Sequence, residues 1–135
     1  MVERVNEMMD DLYREMILEH YKTPIHKGEL ETHSHSYEDE NPLCGDFIHM
    51  DVEVDENGVI KNAVFSGHGC AISQASADIL LEDIIGKKVD EVEHFDSQHV
   101  IDLLGIELGP VRLKCALLPL KVIKAALYGL EKEEE

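Results

Sequence analysis

The rhythm of apolar and polar positions changes along this chain, and each change predicts an element. Leu12, Met16, Ile17 and His20–Tyr21 recur at helical spacing, with Asp10 or Asp11 available as a cap. Pro24 then forces Thr23 out of helical geometry and closes that helix. From Ile25 to Pro42 the pattern is weak, although "THSHSYE" alternates and reads as an edge strand. Phe47–Val54 alternates cleanly and puts Ile48, Met50, Val52 and Val54 on one side. "DENG", Asp55 to Gly58, is a turn, and Val59–Phe65 is the second strand of a hairpin. After Cys70 the period becomes helical: Ile72, Ala75, Ile79 and Leu80 share a side, and Gly86 ends the helix. A short helix from about Asp96 to Leu104 stops at Gly105. The last helix starts near Pro110, a favourable first-turn residue, and runs to about Leu130. Pro119 inside it removes a donor and should kink or divide it. Strands in succession followed by helices in succession predict an α+β fold, a small antiparallel sheet of about three strands with helices packed against it.

Composition narrows what such a fold does. The chain has 135 residues, no internal repeat and no low-complexity linker, and reads as one unit from 1 to 135. Its ordered core spans about residues 12–130, followed by a solvated acidic tail over 131–135. A formal net charge of −17 repels nucleic acid and anionic membranes and favours basic partners or cations. No run approaches the roughly 18 apolar residues of a membrane span. The first residues are acidic where a signal peptide is basic, so the expected location is cytoplasmic. Three cysteines in such a chain read as reduced thiols, suited to metal or redox chemistry.

The cysteines fall where the elements begin. Cys44 and Asp46 share the turn "NPLCGD" before the hairpin; residues i and i+2 of extended chain project to one side. Cys70 sits where strand gives way to helix, a place whose N–H groups favour thiolate. Cys115 lies in the first turns of the last helix, just after Arg112 and Lys114, which favour thiolate as well. Three thiolates and a carboxylate would complete a tetrahedral site, with zinc–sulfur bonds of about 2.3 Å. The plainer reading of a lone cysteine is buried packing. His33, His35, His94 and His99 read as exposed polar residues, and His68 as an alternate ligand or proton acceptor. No Cys–His spacing or oxyanion loop suggests a cysteine protease.

"NPLCGD", "SGHGCAISQASA" and "VRLKCALLPL", with the opening "LYREMILEHYKTPIHKG", resemble the U-type iron–sulfur scaffold family, the IscU, SufU and NifU N-terminal group. The resemblance covers about Leu12 to Leu130. It implies a [2Fe–2S] cluster assembled on Cys44, Cys70 and Cys115 with Asp46 nearby, and a site that zinc can also occupy. Sulfur would come from a cysteine desulfurase, with Cys115 and Cys44 as candidate persulfide acceptors, and the cluster would pass to apo-proteins. A carboxylate among thiolates would leave one iron less tightly held than full cysteine ligation does. The IscU branch has histidine before the third cysteine, where this chain has Lys114. The SufU branch shares the "CAIS.ASA" wording and a basic residue there, but usually carries an insertion for which the Gly86–Gly109 stretch leaves no room. "LGPVRLKC" only partly matches the segment by which the IscU branch engages an Hsp70-type chaperone, so chaperone-assisted release is not implied. The implied function is a cluster scaffold; the competing ones are a zinc-dependent sulfur acceptor for a desulfurase and a purely structural zinc domain.

Overall fold

The elements follow one another as three strands between helices, in a computed structural model that describes residues 2–42 and 45–128, with side chains from residue 11 onward. Helix α1 covers Val2–Lys22, strands β1, β2 and β3 cover His35–Asn41, Asp46–Val54 and Ile60–His68, and α2 covers Ala71–Ile84. Three further helices follow among the described residues: α3 over Val89–Glu93, α4 over Ser97–Leu104 and α5 over Pro110–Tyr128. The strands form one antiparallel sheet in the order β1-β2-β3. This is the α+β arrangement expected from the order of the elements.

The hairpin forms where period-two alternation predicts it. Ile48, Met50 and Val52 are fully buried on the inner face of β2, opposite Phe65 and Ala63 of β3. Its turn is fixed by the Asp55 carboxylate, which accepts the N–H groups of Asn57 and Val59 at 2.9 Å each. The inner face packs on α2 and α5. Helix α2 is buried nearly all round, polar Ser73, Gln74, Ser76 and Asp78 included. Its polar groups must therefore find partners inside the protein.

Several boundaries differ from the sequence reading, each for a physical reason. Helix α1 begins at Val2 rather than at Asp10 or Asp11, because no Gly or Pro interrupts residues 2–22. Its inward residues are Tyr13, Met16, Ile17 and His20, whereas Leu12 is 64% and Tyr21 is 43% exposed. The edge strand is present but shifted to His35–Asn41, in register with β2. Strand β3 continues past Phe65 to His68, where it still pairs with Phe47.

Helix α3 was not anticipated; its signal is Glu91, whose carboxylate accepts the Lys88 N–H at 2.8 Å. Helix α4 matches expectation, with Asp96 as N-cap and Gly105 as a left-handed C-cap. Helix α5 is not divided at Pro119: it runs as one helix through that residue, which is buried between buried Leu118 and Leu120. Core packing outweighs the one lost backbone bond. The end of that helix near Leu130 and the acidic tail over 131–135 lie outside the described residues. Among the described residues, no helix is long and apolar enough to cross a membrane.

Candidate metal centre

Three of the residues singled out from sequence meet at one end of the sheet. The donor atoms of Asp46, Cys70 and Cys115 all lie within 4.8 Å of one another. Asp46 is the first residue of β2 and fully buried. Cys70 is the N-cap of α2 and half-buried; Cys115, one turn into α5, is buried. Cys44 lies outside the described residues. The Gly45 N–H donates to the Asn41 carbonyl at 2.8 Å.

The Asp46 carboxylate is pinned. Oδ1 accepts the Cys70 backbone N–H at 2.8 Å, and Oδ2 lies 3.6 Å from Cys70 Sγ. The carboxylate thus takes one of the amides that α2 leaves without an intrahelical partner, as N-terminal anions do. Two glycines in "SGHGC" make the approach possible. A Cβ on Gly69 would lie 2.1 Å from Asp46 Oδ1, and one on Gly67 would lie 2.0 Å from the Phe47 carbonyl oxygen. Both have positive φ, +136° and +153°, which side chains other than glycine rarely adopt. On the helix side, the Cys70 carbonyl accepts Ser73 Oγ at 3.2 Å, and Ser73 in turn accepts Gln74 Nε2 at 3.2 Å.

This donor set suits a thiophilic ion. Zinc–sulfur and zinc–oxygen bonds of about 2.3 and 2.0 Å span a tetrahedral edge of about 3.5 Å. The Cys70 Sγ to Asp46 Oδ2 separation is 3.6 Å. Two sulfurs and one carboxylate oxygen leave one position of a tetrahedron for a further ligand.

The other sequence-flagged residues are not in this cluster. His68, at the end of β3, is exposed and stacks on Phe47 at 5.6 Å between ring centroids. Lys114 and Arg112 are both exposed, Lys114 in a groove with Glu40, Asn41, Leu117 and Lys121, Arg112 in a cleft with Arg14, Ile72 and Leu108. His33 and His94 are exposed as expected, but His35 and His99 are half-buried. His99 stacks on Phe95 at 3.7 Å and bonds Asp83 through Nε2 at 2.8 Å.

Two polar clusters escaped the sequence reading. Asp78, fully buried in α2, accepts His20 Nδ1 at 2.6 Å and the Ile25 and His26 amides at 3.2 and 2.7 Å. The outer face of the sheet holds His49 between Glu38, 2.9 Å from Nδ1, and Asp51, 2.8 Å from Nε2. Burial would lower the His49 pKa, but the two carboxylates outweigh it and raise it above 6.5. Burial would raise Asp51, but the Leu30 amide, His49 and Ser36 hold it below the usual carboxylate value. A signal for the first cluster exists in sequence: an aspartate between Ala77 and Ile79 in a helix that is apolar on nearly every side.

Known proteins resemble this chain throughout. Residues 12–135 match the family model described as the NifU-like N terminal domain. The zinc-dependent sulfurtransferase SufU of Bacillus subtilis is 35% identical over 146 residues, covering 96% of each chain. The iron–sulfur cluster assembly scaffold protein IscU of Thermotoga maritima is 37% identical over 137 residues, covering 90% of this chain and 96% of the other. Among solved structures, one described as an iron–sulfur cluster assembly scaffold for the SUF system, from Fervidobacterium islandicum AW-1, superposes with a TM-score of 0.72 at 32% identity. That match covers 84% of this chain and 94% of the other.

Proposed function

Because this chain belongs to the NifU-like N-terminal domain family, we propose that it is an iron–sulfur cluster assembly scaffold. It builds a [2Fe–2S] cluster from iron, sulfur supplied by a cysteine desulfurase and electrons from an external reductant that takes persulfide sulfur to sulfide, and hands it to apo-proteins. The observation that carries this reading is the convergence of Asp46, Cys70 and Cys115 donors within 4.8 Å at the ends of separate elements. Cys44, Cys70, Cys115 and Asp46 hold the cluster, which is cargo rather than a permanent part of the protein. Thiolates bind iron firmly, and the carboxylate is the harder and weaker donor. The site therefore has one ligand that a recipient's thiol can replace.

Sulfur arrives when a thiolate of this chain attacks the outer sulfur of the desulfurase persulfide. A new S–S bond forms here as the desulfurase S–S bond breaks, and the desulfurase leaves as thiolate. Cys115 is the proposed acceptor for cluster assembly. Its sulfur is buried, so delivery requires the site to open toward the desulfurase.

A second reading uses the same residues. The 35% identity to a zinc-dependent sulfurtransferase over nearly the whole of both chains, and donors close enough for a single ion, favour a zinc-bound sulfur acceptor. Cys44 is then the acceptor, since its turn can leave the ion most easily. Anaerobic reconstitution with iron, cysteine and a desulfurase separates the two. Visible sulfur-to-iron bands followed by activation of an apo-ferredoxin support the scaffold. A colourless zinc protein that only accelerates desulfurase turnover overturns it in favour of the acceptor. Mass spectrometry after one turnover locates the sulfur, and sulfur on Cys70 alone would defeat both acceptor assignments.

A further inference from the structure

The helices that carry Cys70 and Cys115 are tied together next to the site. Ser76 of α2 donates its hydroxyl to the Ala116 carbonyl of α5 at 2.7 Å. Ser76 is 2% exposed, and Ala116 is fully buried. A buried hydroxyl costs more than the alanine that would pack almost as well, unless it makes a bond of this kind. Ala116 immediately follows Cys115, so the bond fixes the helical turn from which that thiol projects.

Pro119 acts on the same turn. It stands four residues after Cys115, at the position whose N–H would bond the Cys115 carbonyl in a regular helix. Proline has no N–H to give, and its ring crowds that carbonyl. Helix α5 nevertheless continues through it. The backbone bond from position 119 to the Cys115 carbonyl is therefore absent, next to the Ala116 carbonyl that the Ser76 hydroxyl reaches from the neighbouring helix. A helix serving only to fill the core would gain from another apolar residue at position 119.

We infer that Ser76 and Pro119 are positioning residues for the Cys115 thiol, opening its helical turn and clamping it opposite Cys70 and Asp46. The inference rests on the reading of these three residues as one site for metal and sulfur. Neither side chain is proposed to touch the cargo; each acts through the backbone of Cys115–Ala116.

The test uses Pro119→Ala, Ser76→Ala and Ser76→Thr, with two readouts of the site and one of the fold. In a Cys44→Ser background, dibromobimane becomes fluorescent as it bridges Cys70 and Cys115 in metal-free protein, which reports their juxtaposition without any metal. In the otherwise unaltered chain, cobalt titration gives affinity and the sulfur-to-cobalt charge-transfer band. Thermal melting of metal-free protein gives stability. Pro119→Ala should bridge several-fold more slowly and bind cobalt roughly tenfold more weakly, as loss of an orienting partner does, with a shifted band. Its metal-free melting temperature should not fall in proportion. Ser76→Ala should show the same site defects with a lower melting temperature, and Ser76→Thr should restore the bridging rate.

Parental bridging and cobalt affinity in both Pro119→Ala and Ser76→Ala, with only melting altered, would overturn the inference and leave the pair as packing. Should Ser76→Ala fail to fold, Pro119→Ala decides alone. Bridging that slows in the variants of a parent that binds no cobalt would sink the metal reading while upholding the positioning role.

Discussion

Asp46 and Cys70 are joined through both carboxylate oxygens, one accepting the Cys70 backbone N–H at 2.8 Å and the other lying 3.6 Å from its sulfur. One side chain therefore both caps a helix and stands as a donor at the candidate centre. Substitutions can separate these duties. Asp46→Ala leaves a Cys70 amide without its acceptor and should destabilise the metal-free protein by about 1–3 kcal/mol. Asp46→Asn keeps an oxygen for that amide and loses only the charge. It should melt close to the parent yet slow cluster transfer, measured as rate per bound cluster. An unchanged rate in Asp46→Asn would reduce Asp46 to its capping duty.

Gly69→Ala should be more damaging than a one-carbon change suggests. The added Cβ would lie 2.1 Å from Asp46 Oδ1 and 2.8 Å from Asp46 Cα, at a φ of +136°. Backbone strain alone costs about 1–3 kcal/mol, and relieving the clash must push the carboxylate away from the Cys70 amide. Urea denaturation should register the loss, and cobalt affinity should fall with it.

Asp78→Ala should loosen the end of α1. The fully buried carboxylate holds His20 and the Ile25 and His26 amides, so removing it leaves several donors unsatisfied at once. A loss of about 3 kcal/mol is expected, as for other broken buried networks. Hydrogen exchange at the Ile25 and His26 amides should accelerate well beyond the global change in stability.

His49 and Asp51 predict a pH window. The His49 pKa is raised, so its contribution is complete below the unfolded value of about 6.5 and fades as pH rises through the higher folded value. Asp51 is depressed, so its contribution is present above about 3.8 and is lost as pH falls through the lower folded value. The stability difference between the parent and His49→Gln should therefore be largest between about pH 4 and 6.5 and shrink in alkaline solution. Melting curves across that range check it. A difference that grows above pH 7 would contradict the assignment.

What the sequence made legible was whatever depends on local pattern. The β2–β3 hairpin, α2, α4 and the start of α5 follow from alternation, helical spacing and the Gly and Pro residues that bound them. Asp46, Cys70 and Cys115 could be chosen because a thiol or carboxylate at an element's end is conspicuous without knowing what lies opposite. Long-range pairing was harder to read. His20 and Asp78 are 58 residues apart, and nothing local shows that the aspartate has buried donors waiting. Pro119 does not divide α5, because propensity counts the missing N–H but not the buried neighbours that hold the helix on either side. Leu12 misled, since an apolar residue on a helix does not say which side of the stripe meets the core. Alternation likewise fixes which β1 residues face inward but not where the strand begins.

The placement of Asp46, Cys70 and Cys115 at the beginnings of separate elements has a mechanical consequence. An ion held by all three would act on the chain as a reversible cross-link, closing one loop of 24 residues between the first two and a longer one to the third. Closing loops of this size removes conformational freedom from the unfolded chain, and the gain grows only slowly with loop length. Loading would then tighten the whole end of the sheet by mass action, with a melting temperature that rises with free ion. Discharge would return that freedom to the same termini. Release of the load and relaxation of the fold would thus be one event, seen from the site and from the chain.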